Sequence, residues 1–249
     1  MVMSEDDVRA QLTTPLASPA FPRGPYRFTD REYLNITYRT DPDALNALVP
    51  APLKVTDPLV RFEVMRMPDV AGLGDYTESG QVALVEYDGA PGEFTLGMYV
   101  DHLGAITSGR EYSGYPKKFG KPTLGVDSDT LIGTLDYGSI QVALATMGYK
   151  HQVMDEAEAR AELTAPTYML KLLPGYDRKP RICELVRSQL TDLTIKGAWT
   201  GPARLHLVPH ALAPLADLPV LEIVSASHIL TDLTLGPVSV VHDYLDGDR

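Results

Sequence analysis

The stretch Val60-Arg-Phe-Glu-Val64 alternates apolar and charged residues with a period of two. That is the pattern of a strand with one face toward a core and the other toward something polar. Leu34, Ile36 and Tyr38 alternate in the same way with Asn35 and Thr37, and Ile140, Val142 and Leu144 repeat the period. Further β-rich runs lie near residues 94–101, 167–173, 182–190, 193–199, 203–208, 222–235 and 238–245. Twenty glycines and twenty prolines are spread along the chain and not gathered in one linker, which favours many short strands joined by turns. Helices are few. Ser4 is placed to cap a short acidic helix to Leu12, Asp155 to cap another through Glu162 ahead of Pro166, and a third is expected over Leu103 to Arg110. The expected fold is therefore mainly β (α+β), a large antiparallel sheet closed into a cone or barrel with a few peripheral helices. Closure hides the sheet edges and leaves an interior for a ligand. No period of about 20–50 residues repeats, and no compositional break marks a boundary, so residues 1–249 read as a single domain.

The 249 residues carry 22 Lys and Arg against 33 Asp and Glu, a formal charge of −11. Such a surface repels nucleic acid and anionic membranes unless its positive charge is gathered on one face. The most apolar later stretch, Leu207 to Val224, is interrupted by His210, Asp217, Glu222 and three prolines, so no membrane span is expected. The start, Met-Val-Met-Ser-Glu-Asp-Asp, is acidic where a signal peptide is basic, and Cys183 is the sole cysteine. Both point to the cytoplasm. Cys183 itself, in Arg-Ile-Cys-Glu-Leu, reads as a small buried thiol in a strand before it reads as a nucleophile.

No cofactor or metal is implied by motif. His206 and His210 have the spacing used on a metal-binding helix, but Pro209 lies between them in a stretch that reads as strand and turn. Gly72-Leu-Gly74 begins like a dinucleotide fingerprint, yet Thr77 stands where the third glycine belongs, which leaves a turn. Neither a phosphate-binding loop nor a G-x-S-x-G elbow is present.

The segment Gly109-Arg-Glu-Tyr-Ser-Gly-Tyr-Pro-Lys-Lys-Phe-Gly-Lys-Pro122 is different, because it holds three of the eight lysines, Lys117, Lys118 and Lys121, in an otherwise acidic chain. A solvated basic loop is the ordinary reading of such a cluster. Tyr115, Pro116 and Phe119 are poor company for hydrated ammonium groups, however, and an amine desolvated by such walls becomes a nucleophile. A neutral lysine attacks a ketone to give a Schiff base, whose cationic form accepts electrons from a breaking C–C bond without metal or coenzyme.

From about Leu16 to Tyr244 the sequence resembles the acetoacetate decarboxylase family. The resemblance is carried by Ser18-Pro-Ala-Phe-Pro-Arg-Gly-Pro-Tyr26, Arg31-Glu-Tyr33, Leu59-Val-Arg-Phe-Glu63, Gly72-Leu-Gly-Asp-Tyr-Thr-Glu-Ser-Gly80, Tyr115-Pro-Lys-Lys118, Thr134-Leu-Asp-Tyr-Gly138, Ala145-Thr-Met-Gly-Tyr-Lys150 and Trp199-Thr-Gly-Pro202. It implies that Lys117 forms the Schiff base, that Lys118 is its cationic neighbour, and that Arg31, Glu63 and Glu78 stand in the active site. The family is itself the usual illustration of an activated lysine, so that assignment is the family's. The resemblance also implies a cone of antiparallel sheet, a homo-oligomer, and a small 3-oxo acid such as acetoacetate as substrate. Phe119 and Tyr112 stand where the family's motif has aliphatic residues, and they are expected to bear on pocket size.

Without the resemblance, Arg31 and Glu63 read first as a surface ion pair between strands and only then as catalytic groups, and Glu78 as a residue facing water. Three functions stay open on the residues: decarboxylation, aldol or dehydration chemistry on another keto acid through the same imine, and keto-acid binding without turnover. In each enzyme reading the amine must be neutral, and two causes compete. Repulsion by Lys118 is one. Adjacent residues of an extended segment point to opposite sides, so burial is expected to dominate.

Overall fold

The alternation at residues 60–64 is a strand inside a large sheet, in a computed structural model that describes residues 2–246. The strands are β1 (Tyr26–Arg39), β2 (Leu59–Val70), β3 (Gly74–Tyr87), β4 (Ala90–Val100), β5 (Lys117–Phe119), β6 (Lys121–Asp127), β7 (Thr130–Tyr137) and β8 (Ile140–Gly148). They continue with β9 (Gln152–Val153), β10 (Thr167–Pro174), β11 (Pro180–Ser188), β12 (Leu190–Thr200), β13 (Ala203–Leu207), β14 (Glu222–Leu235) and β15 (Ser239–Asp243). An 11-stranded sheet runs β15-β11-β10-β4-β3-β2-β1-β14-β12-β9, with β5 paired to β4 off this path. A second sheet of 4 strands runs β13-β8-β7-β6.

Two features of the expected sheet are corrected. It is mixed and not purely antiparallel, because β4 pairs in parallel with both β10 and β5. Nor is it closed: its path ends at β15 on one side and β9 on the other, and these do not pair. The edge strands are shorter than the central ones: β9 has 2 residues and β15 has 5, against 14 in β1, β3 and β14.

The face of Val60, Phe62 and Val64 joins Leu34, Ile36 and Tyr38 against Leu131, Leu135, Val142, Ala145 and Met147 of the smaller sheet. Glu63 therefore lies on the opposite face. There Tyr33, Met65, Met67, Val100, Ile229 and Leu233 form a second cluster with Ala159 and Leu163. Those last two belong to α4 (Glu156–Thr164), which Asp155 caps and which ends just before Pro166. The large sheet is thus buried on both faces, one against a sheet and one around a helix and a cavity.

Ser4 caps α1 (Glu5–Arg9) through a reciprocal bond with Asp7, and α3 (Leu103–Ser108) is followed by a single π-helical turn at Gly109–Ser113. Unforeseen from sequence is α2 (Pro42–Asn46), capped by Asp41 with proline in its first turn, a favoured arrangement. Strands β3, β6 and β7 also fall outside the runs singled out from sequence. Gly72 and Gly74 form the turn between β2 and β3, with φ of 79° and 82°. His206 ends up in β13 with His210 beyond it, so the two do not share a helix. Among the described residues no helix is long and apolar enough to cross a membrane.

Contact between the sheets depends on Gly133 of β7, where a Cβ would sit 2.8 Å from Val64 Cγ2 and 3.3 Å from Leu34 Cδ2. Gly133→Ala is expected to lower unfolding free energy by about 1–3 kcal/mol through overpacking, measured by chemical denaturation. An unchanged denaturation midpoint would show that the sheets are not in register contact at this point.

Candidate active site

The central strands deliver the site. Glu63 on β2 stands opposite Asn35 of β1 and Gly80 of β3, Glu78 on β3 opposite Met65 and Val100, and Lys117 on β5 opposite Met98. Arg31 is aimed by a register shift in β1 between Phe28 and Arg31, where Asp30 adopts φ 55°, a conformation that Asp tolerates. Lys117, Glu78, Glu63 and Arg31 all line one cavity of about 100 Å³, with Tyr33, Tyr76, Met98, Ser108 and Tyr115 among its walls.

Lys117 is 8% exposed and bonds the carboxylate of Glu78, itself 3% exposed. The lysine is held by its backbone as well as its tip. Its N–H donates to the Tyr115 carbonyl at 2.8 Å, Arg110 donates to its carbonyl at 3.2 Å, and its ammonium lies 5.5 Å from the centre of the Tyr115 ring. Burial pushes the Tyr115 hydroxyl up to about 12, so that wall stays neutral. The π-helical turn brings Gly109 against the lysine stem, and Gly114 ends the turn at φ 90°. Such turns recur at functional sites because they displace one residue from the helical repeat.

Arg31 is buried with its guanidinium carbon 4.9 Å from the Phe28 ring centre and 4.7 Å from that of Tyr33. One nitrogen donates to Met65 Sδ at 2.9 Å. Among the described residues Arg31 forms no ion pair within 4.0 Å, and neither its Nε nor the Tyr33 hydroxyl has a hydrogen-bond partner. Burial opposes its charge, but Tyr33, Glu78 and Glu63 outweigh that and hold the guanidinium above its ordinary value. A buried cation with unused donors, facing a cavity, is equipped to receive a carboxylate.

Glu63 makes no direct hydrogen bond among the described residues. Burial, reinforced by Glu93, pushes its carboxyl up to about 7, against the pull of Arg61 and Arg31. Burial also raises the Glu93 carboxyl, but Glu93 bonds Arg61 directly, which leaves Glu63 as the carboxyl without a bonded partner and suited to carry a proton near neutrality.

Lys118 is not brought into this cavity. Its side chain leaves by the other face of β5, donates to the Leu212 carbonyl and lies 5.0 Å from the Tyr137 ring centre. Phe119 and Tyr112 do not narrow the cavity either: they are 53% and 50% exposed and lie outside its lining. Phe119 is the last residue of β5 and Tyr112 sits in the π-helical turn, and at both positions the side chain reaches the surface. Sequence reasoning passed over Tyr33, Tyr76, Arg61, Glu93 and Glu162, which also line the cavity. Arg61 and Tyr33 carried a usable signal, being two residues from Glu63 and Arg31 in extended segments. Glu162 had none, for its place depends on how α4 docks.

A Cβ on Gly109 would lie 2.7 Å from Lys117 Cδ and 2.9 Å from Cε. The backbone there is right-handed helical, so alanine is tolerated conformationally and the effect falls on the lysine. Gly109→Ala is expected to cut kcat by about tenfold or more, since misplacing a reacting group by about 1 Å has large effects, with the thermal midpoint nearly unchanged. Wild-type kcat in the folded variant would show that the stem has room to spare.

Residues 13–245 match the model of the family described as acetoacetate decarboxylase (ADC). An acetoacetate decarboxylase of Streptomyces nogalater is 68% identical over 97% of this chain and 99% of its own length. One of Clostridium acetobutylicum is 58% identical over 98% of this chain and all of its own. A solved structure from a structural study of acetoacetate decarboxylase superposes with a TM-score of 0.96 at 58% identity, covering 98% of this chain and 100% of the other. The enzyme of Legionella pneumophila gives 0.92 at 49% identity, over 96% of each chain. A cavity built around a buried lysine, at this level of likeness over nearly the whole length, leaves one assignment: the chain belongs to the acetoacetate decarboxylase family.

Proposed function

We propose that this protein decarboxylates acetoacetate to acetone and carbon dioxide through a Schiff base on Lys117. The observation that carries the reading is the buried Lys117–Glu78 pair facing an Arg31 that has no ionic partner among the described residues. The pair holds a proton between two groups. With that proton on Glu78 the amine is free to add to the substrate ketone, and in a dry cavity a neutral pair avoids the cost of two buried charges. Arg31 takes the substrate carboxylate, assisted by the Tyr33 hydroxyl.

Loss of water gives the cationic imine, which draws the electrons of the bond to the carboxylate. Carbon dioxide departs and an enamine remains. Protonation at carbon by Glu63 restores the imine, and hydrolysis releases acetone and the lysine. Glu78 serves as the proton partner of the nitrogen throughout. Lys118, on the far side of β5, contributes only a distant charge. The reading treats the chain as one functional unit, cytoplasmic and needing no cofactor. It also takes the protein to be a homo-oligomer, an expectation that rests on membership of the family. Light scattering is expected to give a mass several times that of one chain, and a monomer would remove this last part alone.

Borohydride added during turnover is expected to fix the adduct irreversibly on Lys117, located by digestion and mass spectrometry, with carbon dioxide released in its absence. Reduction at another residue, or condensation without carbon dioxide, would overturn the reading. Lys118→Asn separates the two causes of amine neutrality. With burial dominant, the acidic limb of the pH–rate profile moves by less than about one pH unit; with repulsion dominant it rises by about two or more.

A further inference from the structure

The cavity extends past Lys117 to a group of charges that this chemistry leaves unused. Arg61 shares a face of β2 with Glu63 and is buried. It bonds Glu93 of β4 directly, and its nitrogens lie 3.8 Å from Glu63 and 4.0 Å from Glu162 of α4. Glu162 is fixed in turn by Asn35 of β1 at 2.7 Å and Ser227 of β14 at 2.6 Å. All four line the cavity that holds Lys117.

One guanidinium thus faces three carboxylates in a place poor in water. Full ionisation would leave two negative charges uncompensated, and a proton relieves that cost. Where the proton goes follows from the bonds. Glu93 has the direct contact with Arg61 and Glu162 has two donors, so the group left short is Glu63.

We infer that Arg61, Glu93 and Glu162 are positioning residues that keep a proton on Glu63 for delivery to the enamine carbon. The inference rests on the decarboxylation reading, and it supplies what that reading requires. When carbon dioxide leaves, the enamine π pair forms the new C–H bond, the O–H bond of Glu63 breaks with its pair returning to the carboxylate, and the nitrogen lone pair re-forms the cationic imine. Acetoacetate and one proton give acetone and carbon dioxide, so each turnover consumes a proton that solvent restores to Glu63. The charged groups facing Glu63 are Arg61 beside it, Arg31 of β1, Glu78 of β3, Glu93 of β4, Lys117 of β5 and Glu162 of α4. Removing the Glu93 charge acts twice in one direction: a repelling neighbour is lost, and Arg61 is freed to turn to Glu63. Both favour the ionised carboxylate and so lower the pH at which the proton is lost.

The test is a carboxylic-acid C=O band in infrared difference spectra of the unliganded protein, followed with pH beside the kcat profile. A band titrating near neutrality is expected in the wild type and absent in Glu63→Gln. In Glu93→Gln it titrates lower by about one pH unit or more, and the alkaline limb of kcat moves with it, so the rate at about pH 8 falls several-fold while the low-pH plateau falls less. Glu162→Gln is expected to shift both in the same direction and serves if Glu93→Gln does not fold. No band at about pH 6 in the wild type, or a band and limb unmoved in the folded variants, overturns the assignment. So does a uniform loss of kcat with an unmoved limb, which is what a merely structural role gives. The infrared readout needs no turnover, so a protein that releases no carbon dioxide fails the decarboxylation reading while the band still decides this one.

Discussion

Lys117 and Glu78 meet where both are out of water, and an ion pair in that position is stable only if its geometry is imposed by the surroundings. Three elements impose it. Pairing of β5 with β4 sets the lysine opposite Met98, pairing of β3 with β2 and β4 sets Glu78 opposite Met65 and Val100, and the π-helical turn lays Gly109 along the lysine stem. None of these is a loop free to relax. The pair is held by the sheet itself, which gives the precision that positioning a nucleophile demands.

A sheet able to do this must be covered on both faces, and the chain meets the requirement asymmetrically. The Val60 face packs on the small sheet and carries the apolar burial. The Glu63 face carries the charges, three cations against four carboxylates among the residues that line the cavity. With one proton on Glu63 the lining is neutral. That balance explains how so many ionisable groups share a small buried space, since unbalanced charge there would be relieved by proton uptake or loss.

The sequence was legible where periodicity is local. Alternation at 60–64 placed Glu63 opposite the packed face, the caps Ser4 and Asp155 marked two helices, and the rule that neighbours in an extended segment point apart anticipated that Lys118 turns away from Lys117, though the resemblance kept both at the site. Closure was not legible, because whether β9 and β15 meet depends on twist summed over the whole sheet and not on any one strand. The parallel partners of β4 were hidden for the same reason: β5 and β10 arrive after long connections. The gathering of Glu93 and Glu162 around Arg61 joins residues 32 and 101 positions away in sequence, beyond the reach of any spacing rule. Phe119 and Tyr112 show the opposite failure. Nearness to the lysine in sequence suggested nearness in space, yet Phe119 ends its strand and Tyr112 lies on the outer side of a helical turn, and both side chains are half exposed.

The charge on Arg31 bears on the course of the proposed reaction. Its guanidinium is already buried and stacked between Phe28 and Tyr33, so pairing with a substrate carboxylate adds an ionic partner without the ordering of a loose side chain. As the C–C bond breaks, the negative charge leaves the carboxylate for the imine nitrogen, and the departing carbon dioxide is neutral. Arg31 then loses the attraction it had in the ground state, and the cost must be met by the collapse of the imine charge. A stronger clamp on the carboxylate would therefore bind substrate better and slow the step. Arg31 is held by a thioether and two ring faces, with the glutamates at a distance, which keeps it cationic and, in the proposed role, would moderate that clamp.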